Sequence, residues 1–264
     1  MMKMLVANLL VVFLAAVHAA PESRIVDGVK ADKGEWPWQM SLYVGTGFSC
    51  GASIVAATWG VTAAHCVGGL PITYKILAGT NTNNLICSVG HCVTRSLRNA
   101  TRHPEYSGSG ALGYPNDIAY ISWAEPIIEV STVNMTVKYV QRATSTNYVG
   151  KNCYITGWGR LTGGGVLPKD LMEAKIDVIT KEQCQAKWGS RITDKHVCVH
   201  DLKDYSSGAC NGDSGGPLVC EDSPKVWKLV GATSWGSAGC GTSMPSVYTR
   251  ISSYNQWLDS QAKP

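Results

Sequence analysis

The hexapeptide Gly212-Asp213-Ser214-Gly215-Gly216-Pro217 is the most informative part of this 264-residue sequence. Glycine loses more backbone entropy than other residues in a helix or strand, and proline lacks an amide donor, so the run is predicted to form a tight turn. Such a turn exposes the hydroxyl of Ser214 and leaves the amides of Gly212 and Ser214 free to point at one spot. Two convergent amides beside a hydroxyl are the arrangement of an oxyanion hole.

Two other motifs provide the groups that a serine nucleophile needs. A serine hydroxyl is a weak nucleophile at neutral pH, so it requires a base, and the base requires a group that orients it. The motif Thr62-Ala63-Ala64-His65-Cys66 follows an apolar run, and Asn116-Asp117-Ile118-Ala119 places an aspartate before a second one. His65 is therefore the candidate base and Asp117 its candidate partner. A histidine beside a cysteine can also be a metal ligand or a core residue, but no second cluster of ligands accompanies His65.

Through these three motifs, in the order His, Asp, Ser, the chain resembles the trypsin and chymotrypsin class of serine endopeptidases. The resemblance extends from residue 25 to about residue 260. It implies that Ser214 attacks the scissile carbonyl, that His65 takes and returns the proton, and that Asp117 holds the imidazole tautomer. The amides of Gly212 and Ser214 would then bind the oxyanion.

Short runs of β-forming residues, separated by turns, recur along the chain and indicate an all-β protein. The resemblance implies a serine protease domain over residues 25–264. This domain is expected to consist of two packed six-stranded antiparallel barrels, about residues 25–135 and 136–264, followed by a C-terminal helix. The catalytic residues would then lie in the cleft between the barrels.

Two short helices are predicted from local patterns. The capping-box spacing of Thr180 and Gln183 predicts a helix that runs to Trp188. Near the end of the chain, Ser253 and Gln256 are expected to cap the terminal helix.

The first 20 residues have the pattern of a secretory signal peptide. Their one lysine precedes an apolar core over residues 5–17, and the segment ends in small residues at Ala19 and Ala20. We therefore expect a signal peptide over residues 1–19 and a secreted, extracellular protein. A membrane anchor is disfavoured because the apolar core is too short to span a bilayer.

Residues 20–24 are expected to be an activation peptide that ends at Arg24. The sequence Ile25-Val26-Asp27-Gly28 follows, close to the Ile-Val-Gly-Gly with which family members begin their active form. The resemblance implies cleavage after Arg24 by a trypsin-like enzyme. The new ammonium group of Ile25 would then pair with Asp213, whose buried charge would otherwise be costly, and would build the oxyanion hole.

Ten cysteines in a secreted chain indicate disulfides rather than metal sites. Spacing does not give their connectivity, but the resemblance implies the pairs Cys50 with Cys66, Cys153 with Cys220, Cys184 with Cys198, and Cys210 with Cys240. Cys87 and Cys92 remain and are expected to pair locally. Because no Asp or Glu occurs between Glu35 and Glu105, a hard cation has no anionic ligand in this region. We interpret the small disulfide as a replacement for bound calcium and expect neither a metal nor a cofactor.

The resemblance also implies a specificity pocket whose base lies six residues before Ser214. That position is Gly208, followed by Ala209, so no aspartate is present there to pair with a substrate lysine or arginine. Gly236 is expected to leave one wall open, and Ser246 to narrow the other. The predicted substrate-binding residues are Gly208, Ala209, Asn211, Ser234, Trp235, Gly236 and Ser246.

An uncharged pocket favours cleavage after Leu, Met, Phe or Tyr, with smaller aliphatic residues second, as in chymotrypsins or elastases. Asp201 and Asp204 lie near the pocket residues in sequence, but we interpret both as solvated surface charges. His91, His196 and His200 are likewise expected at the surface.

The sequence therefore predicts a secreted serine endopeptidase that is made as a zymogen and acts through an acyl-enzyme. The alternative is a catalytically silent, secreted binding protein on the same fold. Expected partners are protein and peptide substrates, an activating trypsin-like protease and protein inhibitors, and the enzyme is expected to be a monomer that serves digestion. A formal net charge of +4 is too small to favour nucleic acid or a membrane as a partner.

Overall fold

The computed structural model describes residues 28–263, which form two β-barrels packed against each other. The predicted signal and activation peptides, with Arg24 and Ile25, lie outside the described residues. Within those residues, no helix is both long and apolar enough to cross a membrane.

The first barrel is built from seven strand segments that are paired in the order β6-β5-β2-β3-β4-β8-β7. Their bounds are β2 Gln39–Val44, β3 Gly47–Ala56, β4 Trp59–Thr62, β5 Tyr74–Ala78, β6 Val93–Ser96, β7 Asn99–Arg102 and β8 Ala119–Ser122. Only Leu97 and Arg98 separate β6 from β7, and their amides donate to Tyr74 O at 3.1 Å and Ser122 O at 2.7 Å. One bent strand therefore continues the ladder from β5 to β8 and closes a six-stranded barrel.

The second barrel is closed by direct pairing of its first and last strands. Its order is β13-β12-β15-β16-β17-β14, and β14 also pairs with β13. The bounds are β12 Cys153–Gly157, β13 Met172–Ile179, β14 His196–His200, β15 Pro217–Ser223, β16 Val226–Trp235 and β17 Ser246–Arg250. The predicted all-β fold of two six-stranded antiparallel barrels is confirmed. The boundary at residue 135 stays a prediction.

In the described part of the chain, four short strands lie outside the two barrels. β1 Val29–Lys30 pairs with β13, so the start of the described chain lies on the second barrel. β9 Val130–Ser131 and β10 Thr136–Val137 form a small hairpin, and β11 Gln141–Arg142 runs parallel to β16. The pairing of β11 places the segment that follows the first barrel against β16 of the second.

Both predicted helices are present. Helix α1, Lys181–Trp188, begins with the capping box of Thr180 and Gln183, as predicted. Helix α2, Asn255–Gln261, follows a 3₁₀ turn over Ile251–Tyr254. The expected cap at Ser253 is wrong, because Ser253 lies inside that turn and the residue before the helix is Tyr254.

Five disulfides join segments of the chain. The pairs are Cys50–Cys66, Cys87–Cys92, Cys153–Cys220, Cys184–Cys198 and Cys210–Cys240. The first joins β3 to the turn that contains His65, and the last joins the segment before Ser214 to the segment after β16. All ten cysteines are therefore paired as predicted.

Candidate active site

The turn that contains Ser214 packs directly against the first barrel. The amide of Gly51 donates to Ser214 O at 2.8 Å. Gly215 has φ +74°, and a Cβ there would lie 2.1 Å from Thr62 Oγ1 and 2.6 Å from Gly51 O. Only glycine fits this conformation and this gap. The turn therefore lies against the end of β4, from which the chain continues into the turn that contains His65.

The amides of Gly212 and Ser214 donate no hydrogen bond to any residue in the range 28–263. Asn211 O accepts from Arg160 N at 2.8 Å, and Asp213 O accepts from Gly216 N at 2.8 Å. In a trans peptide the N–H points opposite to the C=O, so the amides that follow these two carbonyls face the other way. The turn thus presents two unused donors beside the half-exposed Ser214.

His65 and Asp117 are joined by two hydrogen bonds. His65 Nδ1 lies 2.8 Å from Asp117 Oδ2, and the His65 amide donates to Asp117 Oδ1 at 2.9 Å. The aspartate side chain is fully buried, whereas the histidine side chain is 31 % exposed. A carboxylate accepts, so the proton of the neutral imidazole lies on Nδ1 and the lone pair on Nε2. His65 is therefore held in the tautomer that can accept a proton at its exposed nitrogen.

The carboxylate of Asp117 is also bonded to the second barrel. Ser234 Oγ donates to Asp117 Oδ2 at 2.6 Å, and Thr249 Oγ1 donates to Asp117 O at 2.7 Å. Ser234 was predicted as a substrate-binding residue, and it both lines the pocket and fixes this carboxylate. A buried carboxylate needs such donors to offset its lost hydration.

Sequence reasoning missed the residues that hold Asn116, which precedes Asp117. Asn116 has a left-handed backbone with φ +59°. Its Oδ1 accepts from Lys195 Nζ at 2.8 Å and from Tyr254 Oη at 3.1 Å, both on the second barrel side. The one signal in the sequence was the asparagine itself, because asparagine tolerates a left-handed backbone better than most residues.

Asp213 is a buried carboxylate with two backbone donors. The amides of Gly159 and Cys210 donate to its two oxygens at 2.8 Å and 2.9 Å. Burial raises the pKa of this carboxyl to about 6, although the two amides oppose the shift. Among the described residues no cation forms a salt bridge with it.

A pocket of about 230 Å³ opens beside Ser214. It is lined by five predicted residues, Ala209, Asn211, Ser234, Trp235 and Gly236, together with Ser214, Thr233, Ser237, Ala238 and the Cys210–Cys240 disulfide. Gly208 and Ser246, which were also predicted, are not among the lining residues, although Ser246 Oγ accepts from the amide of Ala209 at 3.2 Å. None of the side chains that line this pocket, among residues 28–263, is charged.

The nearby acids belong to another part of the surface. Asp201 Oδ2 accepts from the amides of Ser206 and Ser207 at 3.0 Å and 3.2 Å. Both Asp201 and Asp204 line a separate pocket beside β13. Neither carboxylate reaches the pocket beside Ser214.

Two histidines are buried, contrary to expectation. His196 and His200 are 3 % and 5 % exposed, whereas His91 is exposed as predicted. His196 Nδ1 accepts from the amide of Thr193 at 3.1 Å, and His200 Nε2 donates to Thr242 O at 2.9 Å. The two histidines are the end residues of β14, all of whose residues are buried. Polar residues at both ends of a strand do not indicate such burial, so the expectation that they lie at the surface was wrong.

His65 and the sulfurs of Cys50 and Cys66 lie close enough together to suggest a metal site. However, the two sulfurs are joined in a disulfide, so neither is available as a thiolate ligand. The interpretation of His65 as a base is therefore retained over that of a metal ligand.

Known proteins resemble this chain along most of its length. A family model described as Trypsin matches residues 25–258. Fibrinolytic enzyme, isozyme C, of Lumbricus rubellus is 38% identical over 251 residues, which are 90% of this chain and 100% of the relative. Transmembrane protease serine 9 of Rattus norvegicus is 34% identical over 89% of this chain and 22% of its own length.

A solved structure also shares the fold. Neuropsin, described as a serine protease expressed in the limbic system of mouse brain, superimposes with a TM-score of 0.77 at 30% identity. The match covers 90% of this chain and 99% of neuropsin. The two-barrel fold and these matches lead to one conclusion: the chain belongs to the trypsin family of serine proteases.

Proposed function

We propose that this protein is a secreted serine endopeptidase in which Ser214, His65 and Asp117 form the catalytic triad. The observation that carries the proposal is the pair of hydrogen bonds between His65 and the buried Asp117. The turn that contains Ser214 packs against Thr62, which lies three residues before His65. A base oriented by a buried carboxylate, next to a serine on a tight turn, is the arrangement that activates a serine nucleophile.

The first chemical step is attack on the scissile carbonyl. His65 Nε2 accepts the proton of Ser214 as Oγ forms a bond to the carbonyl carbon. The resulting imidazolium is stabilised by the carboxylate of Asp117, whose oxygens accept hydrogen bonds from His65 and Ser234. The carbonyl oxygen becomes an oxyanion in this step.

The oxyanion is bound by the amides of Gly212 and Ser214. Their lack of acceptors and their direction support this role, because preorganised donors stabilise charge that develops in the transition state. Collapse of the tetrahedral intermediate transfers the proton from His65 to the leaving amine and gives the acyl-enzyme. A water molecule, deprotonated by His65, then attacks the ester and releases the product and Ser214.

The pocket supports cleavage after medium to large apolar residues, a chymotrypsin- or elastase-like preference. Its volume of about 230 Å³ suits one side chain, and in the part of the chain that the structure describes no carboxylate lines it. A lysine or arginine bound there would be a desolvated cation without a partner. Ser246 is not among the residues that line the pocket, and its hydroxyl accepts from the amide of Ala209 at 3.2 Å.

The buried carboxylate of Asp213 supports activation from a zymogen. We propose a signal peptide over residues 1–19, an activation peptide over residues 20–24 and cleavage after Arg24 by a trypsin-like protease. The new ammonium group of Ile25 then pairs with Asp213. Such pairing offsets the cost of an ionised carboxylate buried between the amides of Gly159 and Cys210.

A library of peptides tests the proposal. The purified proprotein is treated with trypsin, the trypsin is removed, and turnover is measured on peptides that differ only at the residue before the cut. We expect turnover after Leu, Met, Phe or Tyr, and none by a Ser214→Ala variant prepared in the same way. Preference for Lys or Arg would contradict the uncharged pocket.

Labelling by an organophosphonate separates the enzyme from a silent binding protein. Reaction at Ser214 requires an assembled triad, so a labelled wild-type protein and an unlabelled His65→Ala variant are expected. No turnover and no labelling, with Ile25 verified as the N-terminus, would favour the binding protein. Because a similar protein is called a fibrinolytic enzyme, fibrin is the first protein substrate to test.

A further inference from the structure

We propose that Arg191 selects substrates with an acidic side chain on the N-terminal side of the scissile bond. The inference rests on the proposed function, since it concerns the peptide that occupies the same cleft. It assigns a charged specificity residue next to an uncharged pocket.

Arg191 lies beside the aromatic wall of the site. Its guanidinium carbon is 5.3 Å from the ring centroid of Trp235 and 4.9 Å from that of Trp188. Trp235 lines the pocket with Ser214, and the ring of Tyr114 lies 6.2 Å from it on the same aromatic surface. Neither Tyr114 nor Trp188 lines the pocket. Trp235 therefore both lines the pocket and contacts the guanidinium of Arg191.

The guanidinium has donors to spare. Arg191 Nε donates to Trp188 O at 3.1 Å, and its two terminal nitrogens have no acceptor among the described residues. In contrast, Arg95 and Arg142 are both bonded to other groups and lie within 4 Å of a carboxylate, Glu125 and Asp259 respectively. The terminal nitrogens of an arginine form a planar fork that matches a carboxylate. Arg191 thus presents an unused carboxylate-binding group.

The arginine is held in place before any ligand arrives. The half-buried guanidinium contacts two indole rings, and Arg191 belongs to a 3₁₀ turn over Gly189–Arg191. The loop that contains Tyr114 packs against its backbone, since a Cβ on Gly113 would lie 2.3 Å from Arg191 O. A side chain that is already ordered loses little entropy on binding, which favours recognition.

The geometry of an extended peptide indicates which residues Arg191 contacts. Side chains alternate between the two faces of an extended chain. When the residue before the scissile bond enters the pocket, the second and fourth residues before the bond face the other way. Because Arg191 contacts Trp235 but does not line the pocket, we expect these two residues to face the ring of Trp235 and Arg191. We therefore expect the acidic preference at the second or the fourth position.

Matched peptides test this assignment on the activated enzyme. Each pair has the same preferred residue before the cut and differs only by Glu or Gln at the second, third or fourth position. At low salt we expect kcat/KM to be roughly five- to tenfold higher for Glu at the second or fourth position, as for a charge-assisted pair at a partly exposed site. Because salt screens such pairs, the ratio should fall toward one in about 1 M NaCl.

Three variants identify the group responsible. Arg191→Gln should bring the Glu/Gln ratio to about one, and Arg191→Lys should keep part of it, because lysine retains the charge but not the fork. Arg95→Gln, far from the pocket on the first barrel, should keep the full ratio. A ratio within one variant does not depend on how much of the protein folds.

Failure of the acidic preference and failure of the proposed protease function give different results. Turnover without a preference for Glu, a preference confined to the third position, or an unchanged ratio in Arg191→Gln would overturn the assignment to Arg191. Absence of turnover on every peptide would overturn the proposed protease function, and the inference with it.

Discussion

The hydroxyl of Ser234 donates a 2.6 Å hydrogen bond to the carboxylate of Asp117, which joins the second barrel to the first at the candidate site. The same oxygen, Oδ2, accepts from His65 Nδ1, so one buried atom receives two donors from different barrels. The position of the imidazole therefore depends on how the barrels pack as well as on the first barrel itself.

This relationship predicts a measurable role for Ser234. In Ser234→Ala, the fully buried Asp117 loses one of its donors, and such a loss typically costs about 1–3 kcal/mol. We expect the free energy of unfolding to fall by that amount and kcat/KM to fall roughly tenfold, because the carboxylate is less firmly oriented. Urea unfolding and turnover of one chromogenic peptide measure the two effects.

Ser252→Ala is the matched control for this prediction. The Ser252 hydroxyl is also buried but has no hydrogen-bond partner among the described residues, so its removal should cost little. Equal effects of the two substitutions on stability and turnover would contradict the role assigned to Ser234.

A second prediction concerns the backbone before Asp117. Asn116 has φ +59° and accepts hydrogen bonds from Lys195 and Tyr254. Asn116→Gly removes those bonds but tolerates the backbone, whereas Asn116→Ala removes them and adds left-handed strain of about 1–2 kcal/mol. We expect the alanine variant to be the less stable of the two by roughly 1 kcal/mol and both to have reduced kcat, as measured by urea unfolding and peptide turnover.

Lys195→Met completes this comparison. It leaves the backbone of Asn116 unchanged and removes one charged donor, so it should lower kcat without the additional cost of strain. If Asn116→Gly and Asn116→Ala proved equally stable, or if Lys195→Met had unchanged kcat, the account of how this segment is held would be wrong.

These missed residues show what the sequence can and cannot predict. The motifs around His65 and Ser214 were identifiable because the chemistry restricts the residue type and the local turn. Lys195 and Tyr254 contact Asn116 across 79 and 138 positions, so no local pattern reveals them. Arg191 likewise becomes notable only because folding brings it to the ring of Trp235.

The burial of Asp213 predicts how the stability of the uncleaved precursor depends on pH. Burial raises the pKa of this carboxyl to about 6, from an ordinary value of 3.8. Its neutral form therefore stabilises the precursor fully below about pH 4, and this stabilisation is lost as pH rises through about 6. A shift of this size corresponds to about 3 kcal/mol. After cleavage at Arg24, most of this loss of stability at higher pH should disappear, because the ammonium group of Ile25 favours the ionised carboxylate of Asp213.

Urea unfolding between pH 4 and pH 8 measures this dependence in an Arg24→Gln precursor that trypsin cannot activate. Burial also raises the pKa of Glu173 to about 7, so Glu173 titrates in the same range in every form. The informative quantity is therefore the difference between the precursor and its Asp213→Asn variant, which lacks the titrating group. A difference that does not change with pH would contradict the assignment to Asp213.

The last prediction concerns the disulfide between Cys87 and Cys92. The two cysteines are 5 positions apart, in a loop whose tip is exposed to solvent. Val89 in this loop is 99 % exposed. No acidic residue occurs between Glu35 and Glu105, so the loop offers a calcium ion no carboxylate. We expect EDTA and added CaCl₂ to leave Tm unchanged. Replacing both cysteines by serine should lower stability by up to about 2 kcal/mol, the entropy of closing so short a loop.

Limited proteolysis and thermal unfolding in parallel give this test two readouts. In the double serine variant, cleavage near Val89 should accelerate as stability falls, because the exposed loop tip is no longer closed by a covalent bond. Treatment with EDTA should accelerate neither cleavage nor unfolding in the wild type. A marked fall of Tm in EDTA, reversed by calcium, would mean that backbone and amide oxygens bind the ion without a carboxylate, and that the disulfide does not take its place.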